Sequence, residues 1–146
     1  MNGFSGEYEV TLDSKQRFLL PAGVKKQFAE GENTFVLARG IEECITLYPV
    51  KTWEAIEQKL NALNKFDEEA RTFKRIFLRG VTEIELDSAG RILVPPTLKE
   101  YAGLKKEMII AGMTDFFEIW EPNKYDAVLK KVSPTKFSEL ANKLFL

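Results

Sequence analysis

Histidine is absent from the 146 residues, and cysteine occurs once. Without histidine there is no Ser-His-Asp triad, no Cys-His dyad and no His-ligated zinc site, which removes the commonest hydrolytic and metalloenzyme designs. A single cysteine, Cys44, closes no intramolecular disulfide. Flanked by the strand-like "IEECITLYP", it reads as a small buried apolar residue of a protein in a reducing compartment. No run of about eighteen uncharged apolar residues occurs, so no membrane span is expected. The opening "MNGFSGEYEV" has neither the basic segment nor the apolar run of a secretory signal, and a cytoplasmic location is expected. Charge of one sign is also lacking. With 21 basic and 22 acidic residues the net charge is −1, so a polyanionic partner must be met by positive charge gathered on one face. Glycine-rich phosphate loops, metal-ligand motifs and nucleophile-plus-base spacings are missing as well, so neither an enzyme, nor a cofactor, nor a bound metal is expected.

What the chain does contain is written twice. "LDSKQRFLLP" (Leu12 to Pro21) and "LDSAGRILVP" (Leu86 to Pro95) share Leu, Asp, Ser, Arg, Leu and Pro at corresponding positions. Upstream, "GEYEV" and "GVTEI" both follow a glycine with polar/apolar alternation; Tyr8, Val10 and Leu12 point one way, and Glu7, Glu9 and Thr11 the other. A period of two means a strand. Downstream, each copy reaches a proline suited to a first helical turn, with Val24 and Phe28, or Leu98 and Tyr101, at helical spacing. Paired strands follow: "TFVLARG" with "CITLYP", and "EMIIAGM" with "FFEIWEP". Each half then closes with a helix carrying an aromatic near its start, Trp53 or Tyr125. The expected organisation is two halves, residues 1–79 and 80–146.

The helices distinguish the halves. Trp53, Ile56, Leu60 and Leu63 predict a helix over 51–64, and Ala70, Phe73 and Phe77 a second over 68–79, joined by a bend at Asn64 to Asp67. In the second half a helix near 123–131 precedes "SPTKFSELANKLFL", where Ser133 caps, Pro134 starts the helix, and Phe137, Leu140 and Leu144 are expected to form a buried stripe. Arg71, Arg75 and Arg79 read as a solvated face on which Asp67 and Glu68 pair with Arg71. Tyr48, Trp53 and Trp120 read as core.

In the repeated turn, Asp13 and Asp87 can accept backbone N–H bonds two residues on, and Gly90 fits a position of positive φ. The simplest reading is that Asp13–Arg17 and Asp87–Arg91 staple their own hairpins. Exposed staples of this kind contribute under about 1 kcal/mol each, a weak reason to write them twice. The other reading is that two pseudo-symmetric hairpins bring Arg17, Arg91 and Lys15 to one surface. Arginine makes bidentate contacts to phosphate or to a guanine edge, and a two-stranded ribbon fits the major groove. Glu7, Glu9, Glu83 and Glu85 on the approaching strands would repel a duplex from the sheet sides and confine contact to the tips.

Two "DxxGR"-like motifs, each followed by a short apolar strand and a proline, with "LYP" and a Trp-bearing helix after the first, resemble the MraZ family over essentially the whole chain. The resemblance implies an α+β fold in which two AbrB-like halves form a swapped-hairpin β-barrel with flanking helices. It implies a nucleoid-associated transcriptional regulator that assembles as rings of about eight subunits. Its expected partner is double-stranded DNA, at short repeats in the promoter of the division and cell-wall gene cluster. Carried onto this sequence, the DNA-binding residues are Lys15, Arg17 and Arg91, and the turn-forming residues are Asp13, Asp87 and Gly90. The first copy carries Gln16 where the family pattern has glycine. That turn therefore either takes another shape or tolerates strain of about 1 kcal/mol. Ala89 leaves Lys15 without a counterpart. A self-assembling scaffold without promoter selectivity is the alternative function.

Overall fold

A computed structural model describes residues 3–146. The first half contributes β1 (Glu7–Thr11), β2 (Arg17–Leu19), α1 (Ala22–Lys25), β3 (Thr34–Arg39), β4 (Ile45–Pro49), α2 (Val50–Asn61) and α3 (Glu68–Leu78). The second contributes β5 (Thr82–Glu85), β6 (Arg91–Leu93), α4 (Pro96–Ala102), β7 (Glu107–Gly112), β8 (Phe117–Trp120), α5 (Pro122–Lys130) and α6 (Pro134–Leu144). The alternation in β1 is realised: Val10 and Leu12 are buried, Tyr8 is half-buried, and Glu7, Glu9 and Thr11 are exposed.

Six strands form an antiparallel sheet in the order β1-β7-β8-β4-β3-β5, while β2 and β6 pair only with each other. The first strand of each half thus pairs with the other half, Tyr8 opposite Ile110 and Ile84 opposite Phe35. The strand order is unchanged when the halves are exchanged. A pseudo-twofold axis therefore runs between β4 and β8, where Thr46 faces Glu118, and between β2 and β6, where Phe18 faces Ile92.

The expected barrel does not close. β1 and β5 remain the edges of the large sheet, and the ribbon stands apart from it. The ribbon strands are three residues long, and their ladder partners lie across the axis rather than on β1 or β5. Contact with the sheet is made by side chains instead. Phe18 and Ile92 point inward and join Phe35, Leu47, Ile110 and Phe117 in the main core. Each such side chain, fully buried, stabilises the fold by about 1.5–3 kcal/mol relative to exposure. α1 and α4 start after Pro21 and Pro95 and close the two ends of this core through Val24 and Leu98, both wholly buried.

The other face of the sheet repeats one aromatic motif with its members exchanged. Tyr48 packs on Trp53 and Trp120 packs on Tyr125, each pair with ring centroids 5.7 Å apart. These large aromatics are core, as their patterning indicated. Phe77 of α3 stacks on Trp53 at 6.1 Å and holds the α2–α3 hairpin to the sheet. Cys44 is buried, and that burial pushes its thiol pKa well above the ordinary range.

Two expectations about helices need correction. Asp67 does not pair with Arg71; it caps α3, accepting from the Glu69 N–H at 3.2 Å, and Arg71 donates instead to the Lys65 carbonyl at 3.2 Å. A side chain committed to a cap faces the helix end rather than the next turn. In α6, Ser133 caps and Pro134 opens the helix as anticipated, with the Ser133 hydroxyl accepting from the Lys136 N–H at 3.1 Å. Its apolar stripe is nevertheless open: Phe137 is 68% and Leu144 73% exposed, and no residue of α6 is buried. In the first half Phe77 holds α3 to the sheet by stacking on Trp53, whereas among the described residues no aromatic ring of α6 stacks on Tyr125.

Candidate nucleic-acid interface

Each repeated turn is built from its aspartate outward. Asp13 accepts the backbone N–H of Lys15 at 2.8 Å and of Arg17 at 2.9 Å through Oδ1, and the Arg17 Nε at 3.1 Å through Oδ2. Asp87 does the same for Ala89 (2.9 Å), Arg91 (2.8 Å) and the Arg91 Nε (2.9 Å). The carbonyl of each aspartate also receives the N–H three residues on, from Gln16 and from Gly90. These are three-residue hairpin loops whose last residue is left-handed. Bonds to the charged form hold both carboxyls below the ordinary aspartate value of 3.8, the Arg17 and Arg91 backbone N–H groups being the largest contributors. A depressed folded pKa means that this stabilisation is present above that value. It is lost as pH falls through the folded pKa, so both turns are fully charged and intact at neutral pH.

Gln16 takes φ 63° and Gly90 φ 80°, so the first turn has the same shape as the second and tolerates the strain. The Gln16 side chain gains a partner, its Oε1 accepting from Lys99 Nζ. A Cβ built on Gly90 meets nothing nearer than Leu19 Cδ1 at 3.8 Å, so a side chain there is opposed by φ alone. Gly90→Ala is expected to cost about 1–2 kcal/mol in chemical denaturation. An unchanged midpoint would mean that the turn does not need its left-handed residue.

The ribbon then fixes where the arginines go. Arg17 lies opposite Leu93 and Arg91 opposite Leu19, while Phe18 and Ile92 between them face the core. Side chains alternate along a strand, so Arg17, Leu19, Arg91 and Leu93 all stand on the solvent face of one ribbon. The two arginines are diagonal neighbours, and residues in such a pair lie about 7–8 Å apart, within reach of long side chains. Their side chains are 26% and 35% exposed. Each uses Nε to hold its aspartate, and among the described residues the terminal Nη groups make no hydrogen bond. Two oriented forks therefore face outward from one surface. Lys15 is exposed at the tip of the first turn, and Glu7, Glu9, Glu83 and Glu85 are exposed on the flanking strands β1 and β5.

The six site residues expected from the sequence, Asp13, Lys15, Arg17, Asp87, Gly90 and Arg91, thus gather on the ribbon and its two turns. The exposure of Leu19 and Leu93 was missed because both were read as part of an apolar run toward a proline. The signal was available in "RFL" and "RIL", where period two puts each leucine on the arginine's face. Arg39 was missed as well. Its guanidinium lies 4.2 Å over the Tyr101 ring, its buried Nε has no hydrogen-bond partner among the described residues, and it lines a cavity of about 510 Å³ with Phe73, Ile76 and Phe77. None of the ribbon residues lines that cavity, and strand patterning alone gave no sign of it.

Two copies of one strand-rich unit that exchange their first strands, and that share a ribbon carrying aspartate-held arginines, define a tandem-repeat β-ribbon protein. Comparison with known proteins supplies the family. The family model described as "MraZ protein, putative antitoxin-like" matches twice, over residues 4–76 and 77–146. The chain is 43% identical over 144 residues to "Transcriptional regulator MraZ" of Cytophaga hutchinsonii, covering 98% of this chain and 95% of that one. The protein of the same name from Natranaerobius thermophilus is 42% identical over 123 residues, 84% of each chain. That from Moorella thermoacetica is 38% identical over 141 residues, 97% of this chain and 96% of the other. The chain belongs to the MraZ family.

Proposed function

We propose that the protein is a DNA-binding transcriptional regulator, in keeping with the name its relatives carry. Its two AbrB-like halves, residues 1–79 and 80–146, act through the exchanged hairpins. Arg17, Arg91 and Lys15 contact the duplex, while Asp13, Asp87 and Gly90 shape the turns that hold the arginines. The target is a set of short repeats in the promoter of the division and cell-wall gene cluster, and the site of action is the cytoplasmic nucleoid. The single observation that carries this reading is the outward pair of aspartate-held guanidiniums on one ribbon face. No helix among the described residues is long and apolar enough to cross a membrane.

A subunit of net charge −1 with three basic contacts grips a polyanion weakly. Assembly into a ring of about eight copies multiplies those contacts through effective concentration. The uncovered apolar face of α6 supports such self-assembly, and it equally suits the scaffold alternative. Promoter selectivity separates the two. Anisotropy titrations of a duplex from upstream of the protein's own gene, and of a scrambled duplex of equal composition, should give tighter binding to the first and steep weakening with salt. Equal affinities would favour the scaffold, and a flat salt response would remove the phosphate contacts.

A further inference from the structure

Two leucines on the ribbon stand largely open to solvent. Leu19 is 61% and Leu93 57% exposed, and they occupy equivalent positions about the pseudo-twofold axis. The exposed apolar residues of α3 and α6 lie on the faces of whole helices, whereas these two stand in a four-residue patch with Arg17 and Arg91. Each leucine is directly across the ladder from an arginine. Cross-strand neighbours of this kind have Cβ atoms about 4.5–5.5 Å apart, against a rise of about 3.4 Å per base pair. A leucine and its facing arginine therefore reach the same or adjacent base pairs when the ribbon lies in the groove.

The floor of the major groove offers one apolar feature, the C5-methyl of thymine, next to the acceptors that an arginine fork reads on guanine. We propose that Leu19 and Leu93 are specificity-determining residues that pack on thymine methyls, so that each arginine–leucine pair reads a guanine together with a neighbouring thymine. The arrangement within the patch supports this. Leu19 Cδ1 approaches Gly90, so the side chain reaches along the ribbon toward the second turn, where Asp87 holds Arg91. Beside Leu93 the rim is acidic, with Glu83 and Glu85 lining the same shallow cavity as Leu93 and Pro95. Carboxylates there oppose phosphate and leave the leucine to meet the groove floor.

The proposal rests on the duplex-binding reading, and one experiment distinguishes failure of the two. The duplex from upstream of the protein's own gene is made with thymidine throughout, or with deoxyuridine in its place. This exchange removes the methyl and leaves the hydrogen-bonding edges intact. Burial of one methyl-sized group corresponds to about 4-fold in affinity, so two engaged leucines should make the uracil duplex about 15-fold weaker for the wild-type protein. Leu19→Ala/Leu93→Ala should bind both duplexes equally, whereas Leu19→Met/Leu93→Met, which keeps an apolar side chain, should still discriminate. Equal wild-type binding to the two duplexes, with binding itself intact, would overturn the leucine assignment while sparing the regulator. A penalty for uracil that persists in the alanine variant would also overturn it, since DNA shape would then be the cause. Absence of binding to either duplex at low salt would strike the duplex-binding reading, and the leucine assignment would fall with it.

Discussion

Arg17→Ala/Arg91→Ala is expected to bind the upstream duplex at least about 30-fold more weakly than the wild type while melting almost unchanged. A bidentate arginine contact in the major groove discriminates by about 1–3 kcal/mol, so two lost together amount to about 2 kcal/mol or more for one engaged subunit. Assembly raises the loss further, because every subunit is altered at once. The structural side of the change is small. Among the described residues each guanidinium bridges only its own aspartate, at a position about one third exposed, and such bridges contribute under about 1 kcal/mol. The aspartates keep their backbone donors, so the turns keep their shape. The pseudo-twofold axis makes the two arginines equivalent, and each single variant should lose about 5-fold or more. Titration by fluorescence anisotropy, with circular dichroism to follow the melt, checks both halves of the expectation. A double variant that binds as the wild type does would remove the arginines from the interface.

The second large effect is on stability. Phe18 is 1% exposed and stands on the pseudo-twofold axis opposite Ile92, where the ribbon meets the core. Phe18→Ala deletes a ring from that junction and should cost about 3–5 kcal/mol. For a chain of this size that corresponds to a fall in Tm of roughly 6–20 °C. The arginines ride on the same short strands, so DNA affinity should fall together with the melt. Thermal denaturation followed by dichroism gives the number. A loss under about 1 kcal/mol would mean that the ribbon is not anchored by its inward side chains.

How far the sequence disclosed this arrangement depended on the range of the interaction involved. The repeated turns were legible because their chemistry is local: an aspartate two to four residues from the N–H groups it accepts, and a left-handed residue before the arginine. Alternation in "EYEV" was enough to separate Val10 from Glu9. Which strands share a ladder is a property of the packed chain, and that is why the barrel was expected where a six-stranded sheet and a separate ribbon stand. The stripe Phe137, Leu140, Leu144 marks an apolar helix face equally well whether the face is covered by its own chain or left open. Arg71 illustrates the competition that spacing cannot resolve, since Asp67 was free in sequence terms to pair or to cap, and it caps. Leu19 and Leu93 were hidden by a proline that made their strands look like the approach to a helix.

The central claim is that the outer face of the β2–β6 ribbon enters a DNA groove. It is tested most directly by determining the structure of the protein bound to the duplex from upstream of its own gene. The account predicts the ribbon in the major groove, with the Nη groups of Arg17 and Arg91 within hydrogen-bonding distance of guanine edges or phosphates. A complex in which that face points to solvent or to a neighbouring copy, with DNA held elsewhere, would contradict it.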